Sequence, residues 1–242
     1  MWMLLAVPII FAAGISVSGN LLSEGLILAL IFWASAPTLF STPALAYLMR
    51  QDAALSLGLL LAAVALHPIV TPFFTVLFTD GSISVSPMEL AWRLTALVAG
   101  SAFVAIIVRR WMGQKRLSKS GPIFDGLNVV GLVIFAIAIM DGITARLLAD
   151  PAYAIAIIAF VSALSLGVIA LTTLVFWRFG RQFACTVGFS AGGRNIALVI
   201  GALGSATPPD TWLFFAVLQF PIYCLPAILK PVYDRLIPDQ PS

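Results

Sequence analysis

The 242-residue chain is 61% hydrophobic and 10% charged, with a mean hydropathy of +1.08. Soluble domains carry about 25% charged residues, so this composition argues against a soluble enzyme, a disordered chain and a disulfide scaffold. The net charge of +3 does not indicate a nucleic-acid-binding protein. Long unbroken apolar runs, without the alternation of strands, predict helices that span a lipid bilayer.

Charged residues divide the chain into eight apolar segments, most of them near the roughly 20 residues that cross about 30 Å of hydrocarbon. We call them spans A to H, and they cover residues 2–17, 25–49, 53–79, 90–108, 122–143, 151–177, 182–209 and 211–229. The alternative for residues 1–17, a secretory signal peptide, lacks a basic n-region and a convincing cleavage site. The sequence predicts an all-α polytopic protein with a single membrane domain, 1–242.

The basic residues favour one side of the membrane. With a cytoplasmic N-terminus, the inside loops hold ten Lys and Arg residues, whereas the outside loops 18–24, 79–89, 141–151 and 204–210 hold only Arg146. One inside loop contains five of the ten, namely Arg109, Arg110, Lys115, Arg116 and Lys119. Cytoplasmic loops carry such an excess of positive charge. We therefore predict a multi-pass protein of the inner (plasma) membrane with both termini in the cytoplasm.

Span B, LILALIFWASAPTLFSTPALAYLM, contains signals for an interrupted helix. Pro37 lies at its centre, where proline removes a backbone hydrogen bond and clashes with the preceding turn. Ser41 and Thr42 precede Pro43, a pattern typical of a helix N-cap followed by proline in the first turn. The pattern predicts a helix that stops near Ala36–Pro37 and restarts near Thr42.

Span G has a second predicted break at a similar depth. Its centre combines adjacent glycines, Gly192 and Gly193, with Ser190, Arg194 and Asn195. Spans A to C begin inside and spans F to H begin outside, so the two broken helices occupy matching places in triplets of opposite topology. Paired broken helices in inverted repeats indicate a secondary transporter with its site near the membrane midplane. The alternative is two merely kinked helices, since Gly and Pro are frequent in membrane spans.

Arg194 is the strongest candidate for ligand binding. A charge at the centre of a membrane helix costs at least about 2.5–3.5 kcal/mol on insertion scales, and such residues usually face a cavity or a partner. An anion such as a carboxylate or sulfate fits this place, and we expect the charge of a following half-helix N-terminus to add to it. The alternatives are a buried salt bridge, with Asp125 or Asp141, and a snorkelling side chain.

Other polar residues in the spans have two interpretations each. His67, next to Pro68, either handles protons or satisfies a kinked backbone. Ser56 is either an oxygen ligand or a cap of span C. Cys185 and Cys224 lie in apolar runs and are predicted to be buried thiols. An intramembrane enzyme is disfavoured, because one histidine and no mid-span carboxylate cannot supply a metal site or a catalytic base; we predict no catalytic residues and no metal ligands.

Two stretches resemble the bile acid:sodium symporter family. ASAPTLFSTPALAYLMRQDAALSLGLLLAAVALHPIVTP is similar to the family's crossing fourth helix and the helix after it, and SAGGRNIALVIGALG is similar to its second crossing helix. The resemblance follows nearly the whole chain in order. It implies core helices at about 2–79 and 151–234, with two crossed broken helices, and a panel at about 90–145 that rocks against them. It also implies sodium-coupled uptake of organic anions.

The chain departs from this family at the residues that would hold sodium. The family's serine–asparagine pair falls on Thr42 and Pro43, and its glutamate and glutamine fall on Ser190 and Arg194. Sodium is the coupling ion that the resemblance implies. Proline offers no side-chain oxygen and a guanidinium repels a cation, so we expect the sodium sites to be lost in this chain. We infer that Arg194 replaces sodium electrostatically, which predicts uniport, exchange or proton coupling.

Members of the family usually have ten helices, and the resemblance implies that this chain begins within the third. The alternative function is therefore a non-transporting or incomplete membrane subunit that needs a partner chain or assembles as a homo-oligomer. For a carrier, the predicted ligands are a small organic anion and, around the protein, the lipid bilayer. The predicted substrate-binding residues are Ser41, Thr42, Ser190, Gly192, Gly193, Arg194 and Asn195, and the weaker ion-coupling candidates are Ser56 and His67.

Overall fold

A computed structural model describes residues 2–18, 22–79, 86–140 and 143–237 of the chain. The described chain is almost entirely helical and has no strand. A π-helical turn, Trp2–Ala6, leads into the first of eleven α-helices that it contains. These are α1 Val7–Ser18, α2 Glu24–Ser35, α3 Thr42–Leu48, α4 Ala53–Thr79, α5 Pro87–Lys119, α6 Gly121–Ile139, α7 Ile143–Ala149, α8 Pro151–Phe176, α9 Arg181–Gly192, α10 Ala197–Leu203 and α11 Pro209–Leu236.

Five of these helices are long and apolar enough to cross a membrane. Their candidate spans are Ala53–Phe78, Pro87–Leu117, Gly121–Ile139, Pro151–Phe179 and Pro209–Leu236. Shorter apolar helices occupy Trp2–Ser16, Glu24–Ser35 and Ala197–Ala206. The predicted class, an all-α protein embedded in a membrane, is confirmed at this level. The count of eight spans and the inverted repeat stay predictions.

Helix α2 forms the centre of the molecule. Eight consecutive residues, 28–35, are buried, so the helix is covered on every side. A helix that is apolar all round is stable only where neighbouring elements or lipid surround it. In the main core it packs with Phe214 and Phe215 of α11 and with Met3 and Val7 at the N-terminus. The first predicted span is therefore an integral part of the core.

Helix α5 extends further than span D predicted. The segment 109–119, predicted as a loop, is helical on both sides of Gly113. It contains no proline, and most of its residues are good helix formers. The change of direction is confined to Gly113, whose φ of 70° and ψ of 158° lie in a region that is essentially restricted to glycine.

The two cysteines differ in their surroundings. Cys185 of α9 is buried, as predicted, and packs beside Met49 and Phe189 in a second, smaller cluster. The prediction for Cys224 was wrong, because this residue lies exposed on α11. An apolar run does not show which face of a membrane helix meets protein and which meets lipid, since both faces are apolar.

Candidate functional site

Both predicted helix breaks are present, within a residue or two of the predicted positions. Helix α2 ends at Ser35 with Ala36 as its C-cap, and the chain becomes helical again at Thr42. Helix α9 ends at Gly192, and α10 begins at Ala197. The structure differs in one detail: the side chain of the residue before Thr42, Ser41, makes no capping hydrogen bond.

The two breaks pair with each other through their backbones. The amide of Leu39 donates to the carbonyl of Gly193 at 3.0 Å, and the amide of Asn195 donates to the carbonyl of Pro37 at 2.9 Å. Thr38 and Arg194 face each other in an isolated antiparallel bridge. Backbone groups freed inside a membrane protein must be satisfied internally. Each break therefore supplies hydrogen-bond partners for the other, and this pairing holds the two interrupted helices against each other.

The side chain of Arg194 is fully buried and joins three elements. Its Nε donates to the carbonyl of Ala191 at 2.5 Å, in the last turn of α9. Its Nη1 donates to the carbonyl of Ala36, the C-cap of α2, at 2.7 Å. Its Nη2 donates to the carbonyl of Met3 at 2.9 Å, in the N-terminal helical turn. All three acceptors are backbone oxygens.

The surroundings of Arg194 bear on the alternatives that the sequence left open for it. Helix C-termini carry about half a negative charge and unpaired carbonyls, so two such ends attract a cation with several N–H donors. No carboxylate pairs with Arg194 among the described side chains; Asp141 and the side chain of Asp125 lie outside the described part. Arg194 does not snorkel, because its side chain is enclosed in the core. Its bonds to helix C-terminal ends, rather than the N-terminus of α10, define its surroundings.

His67 lies beside the first break. Its Nδ1 and the hydroxyl of Thr71 are 2.8 Å apart, and the same hydroxyl donates to the carbonyl of Ser35 at 3.4 Å. That carbonyl belongs to the last turn of α2, so this pair connects α4 to the broken helix. The second ring nitrogen of His67, Nε2, is buried and has no hydrogen-bond partner among the described residues. The contacts favour a role at the break, and proton handling stays a prediction.

Ser56 and Ser190 come together although 134 residues separate them. Their hydroxyl oxygens are 3.4 Å apart and both residues are fully buried. Of the two interpretations of Ser56, the structure contradicts the helix cap, because Asp52 caps this helix by accepting a hydrogen bond from the Leu55 amide at 2.9 Å. Ser190, on which a sodium-site glutamate falls in the resemblance, thus lies beside the ion-coupling candidate Ser56, and each residue carries only a neutral hydroxyl.

Three other predicted residues serve packing behind the breaks. The Thr42 hydroxyl accepts a hydrogen bond from Thr38 at 3.1 Å, and both residues are fully buried. Gly192 faces Ile169 of α8 so closely that a Cβ atom would collide with that side chain. At Gly193, a Cβ atom would lie 3.3 Å from a methyl group of Leu39 in the opposite break. The glycines permit close approach, and they offer no side chain to a ligand.

A cavity of about 510 Å³ lies on the other side of the paired breaks. Ser41 and Asn195 are among its polar lining residues, and Ser41 is exposed. The Asn195 side-chain oxygen accepts from the amide of Ala197 at 3.1 Å, and the structure gives its NH₂ group no partner among the described residues. Of the predicted substrate-binding residues, Ser41, Arg194 and Asn195 line this cavity, whereas Thr42, Ser190, Gly192 and Gly193 do not.

The sequence analysis missed the opposite wall of this cavity. Gln219 and Tyr223 of α11 line it together with Phe135 of α6 and Phe215. The Gln219 NH₂ group donates to the carbonyl of Phe215 at 3.3 Å, and its side-chain oxygen has no hydrogen-bond partner among the described residues. A polar residue in the otherwise apolar span H was a usable signal for Gln219. No sequence signal placed Phe135 there, because residues 129–139 of its helix are apolar on every face.

The described residues contain no group of three or more His, Cys, Asp or Glu side chains placed to hold a metal ion. The site therefore consists of the two paired helix breaks, one buried guanidinium and an adjoining cavity whose walls present amide, hydroxyl and aromatic groups. No family model matches the chain, and no curated protein matches it either.

Proposed function

We propose that this protein is a secondary transporter of organic anions that works by alternating access without sodium coupling. The observation that carries the proposal is the position of Arg194, which bonds the carbonyl ends of both broken helices. Broken helices that meet within the membrane are the arrangement from which many secondary transporters build their sites. In this proposal, the eight spans form an inverted repeat and the breaks lie near the bilayer midplane.

The chemistry at the crossing favours independence from sodium. Sodium requires several oxygen ligands, and the carbonyls of Ala36 and Ala191 are already occupied by guanidinium N–H groups. Ser190 and Ser56 add no negative charge. A second cation close to Arg194 would also meet charge repulsion, which is strong where water is excluded. The protein thus carries its own permanent cation at the crossing.

The cavity indicates the class of substrate. Ser41 and Asn195 offer hydrogen-bond donors on the wall next to the breaks, while Phe40, Phe135 and Phe215 offer apolar surface. The guanidinium of Arg194 is bound to backbone carbonyls, and its charge raises the electrostatic potential on the first wall. These features suit an amphipathic carboxylate or sulfate whose anionic group lies at Asn195 and whose apolar body contacts the aromatic residues.

Uptake by proteoliposomes tests the proposal. We expect labelled cholate or benzoate to enter at equal rates under an inward sodium gradient and under a choline gradient of the same strength. Asn195→Ala should reduce uptake, whereas Arg178→Gln, at an exposed position that does not line the cavity, should not. A steep dependence on sodium would contradict the coupling proposal. Anion transport itself would be contradicted if no anion in a screen stabilised the protein against unfolding or entered the proteoliposomes.

A double variant tests the role assigned to Arg194. The double variant Ser190→Glu, Arg194→Gln introduces the glutamate and the glutamine that the bile acid:sodium symporter family has at these positions. We expect sodium chloride, compared with potassium chloride at the same ionic strength, to raise the thermal midpoint of this variant while leaving the natural chain unchanged. Equal responses of both proteins to sodium would show that Arg194 does not substitute for a bound cation.

The second candidate function is a membrane subunit that acts with partner helices. Only 6% of the residues in the most apolar part of α5, and 7% in that of α6, are buried inside the protein. In the other long helices the buried share is 33–50%. Such open faces contact either lipid or another chain. Mass measurement in lipid nanodiscs distinguishes the two: a monomer that transports anions excludes this candidate, and an obligate complex without transport supports it.

A further inference from the structure

A groove separate from the broken helices runs along one face of α5. Gly100, Ser101, Val104, Ala105, Val108 and Arg109 line it on that helix. Leu117, beyond the bend at Gly113, and Phe124 of α6 line it on the other side. Its volume is about 540 Å³. The lining is therefore apolar along its length and carries one charged side chain, Arg109, at one end.

The dimensions of the groove match one leaflet of a bilayer. Residues 100–109 of a helix extend over about 13 Å at a rise of 1.5 Å per residue. Half of a hydrocarbon core roughly 30 Å thick is about 15 Å. Trp111 is 88% exposed immediately beyond Arg109, and tryptophan concentrates at the level of lipid headgroups. This match favours a position at headgroup level for Arg109 and a position towards the middle of the membrane for Gly100.

The charged end of the groove is strongly positive. Arg109, Arg110, Arg116 and Lys119 are all exposed, and none of them has an ion-pair partner among the described side chains. The bend at Gly113 returns Leu117 to the groove, which brings the chain of residue 116 back to the same end. Clusters of four or more basic residues beside a membrane helix attract anionic lipids.

We propose that this groove binds an anionic phospholipid. One acyl chain lies between Val104 and Phe124, and the phosphate contacts Arg109 and the neighbouring basic side chains. The groove is apolar, one leaflet deep and has cations at its headgroup end. These features match a phospholipid better than a soluble anion, because a soluble anion has no acyl chain to fill the apolar part. The proposal concerns the groove between α5 and α6 alone and does not depend on transport at the broken helices.

Binding of phosphatidylglycerol, compared with phosphatidylcholine, to the purified full chain in detergent tests the proposal. We expect the natural chain to prefer phosphatidylglycerol at least tenfold. A variant with Arg109, Arg110, Arg116 and Lys119 changed to Gln should lose this preference, since each basic residue near a membrane surface contributes about fivefold. The matched control, Arg178→Gln with Arg181→Gln, removes positive charge at another exposed turn and should keep the preference.

A second pair of variants separates the groove from diffuse surface attraction. Ala105→Trp fills the groove without changing charge and should weaken phosphatidylglycerol binding at least fivefold. Ile107→Trp adds the same ring to an exposed position of α5 outside the groove and should leave binding unchanged. Equal binding by these two variants, or a preference that survives loss of the four charges, would overturn the proposal. If the fourfold variant fails to fold, Arg109→Gln is compared with Arg178→Gln instead.

Discussion

At the scale of single residues, Arg194 has an environment that is uncommon for a buried charge. Buried charges are normally paired with opposite charges or metal ions. Here the compensation comes from three backbone carbonyls, of which two close broken helices. The fixed fork of the guanidinium reaches acceptors in three directions, which a lysine ammonium on a flexible stem does less well. The residue is therefore a structural cation as well as a source of potential for the cavity.

Replacing Arg194 should destabilise the protein strongly. In Arg194→Gln, a shorter side chain leaves carbonyls of Met3 and Ala36 without donors, and each buried unpaired group costs about 1–3 kcal/mol. We expect a loss of at least about 3 kcal/mol and an intermediate loss for Arg194→Lys. Thermal unfolding in detergent measures both.

The exposed Arg178 provides the control for that measurement. Surface substitutions away from special features usually change stability by less than about 0.5 kcal/mol, so Arg178→Gln should unfold with the natural chain. An Arg194→Gln variant that is as stable as the Arg178→Gln variant would contradict the structural role. The charge would then be free to serve a ligand alone.

At the scale of elements, the second broken helix depends on close contact between α8 and α9. Gly188 and Gly192 both face α8, and a Cβ atom at Gly192 would lie 2.7 Å from the carbonyl oxygen of Ser165 as well as colliding with Ile169. Small residues permit such approach between membrane helices and thereby strengthen their packing. The glycines of span G thus set the helix spacing as well as marking the end of α9.

Gly192→Ala should move α9 away from α8. Overpacking of a close contact costs about 1–3 kcal/mol, and we expect a lower thermal midpoint together with weaker anion binding. Gly201→Ala is the matched control, because this glycine of α10 has open space around its Cβ position. There the substitution should be neutral or slightly stabilising. Equal midpoints for the two variants would show that α8 and α9 tolerate separation.

The element scale also shows where sequence patterns were informative. Pro37 and the Gly192–Gly193 pair predicted both breaks, because backbone chemistry at these residues acts locally. The mostly helical segment 109–119 was predicted as a loop, because five basic residues beside an apolar span indicate the cytoplasmic edge of a membrane. Charged residues such as Arg and Lys are good helix formers, so a membrane helix continues past the bilayer edge when nothing stops it.

At the scale of the whole molecule, the apolar composition dominates. Five long apolar helices and a nearly all-helical chain follow from the need to satisfy every backbone group inside a membrane. The distribution of basic residues adds an orientation, with ten of them on the predicted inside. This orientation stays a prediction, because the arrangement of helices is the same for either direction of insertion.

Reporter fusions test the predicted orientation. A fluorescent protein fused at the C-terminus should fold and fluoresce, and alkaline phosphatase fused there should be inactive, because the excess of Lys and Arg keeps that end in the cytoplasm. Alkaline phosphatase inserted in the loop 79–89 should be active. The reverse pattern would invert the orientation, and activity at both places would contradict the number of spans between them.

By itself, the sequence determined the membrane class, the helical structure and the two breaks, since these follow from composition and from proline, glycine and charge at particular positions. Only the tertiary structure decided what Arg194 binds. Its acceptors at Ala36 and Met3 lie 158 and 191 residues away, and they are backbone carbonyls that any residue type would present. A pattern of side chains contains no information about such a contact, which arises from how helices pack against each other.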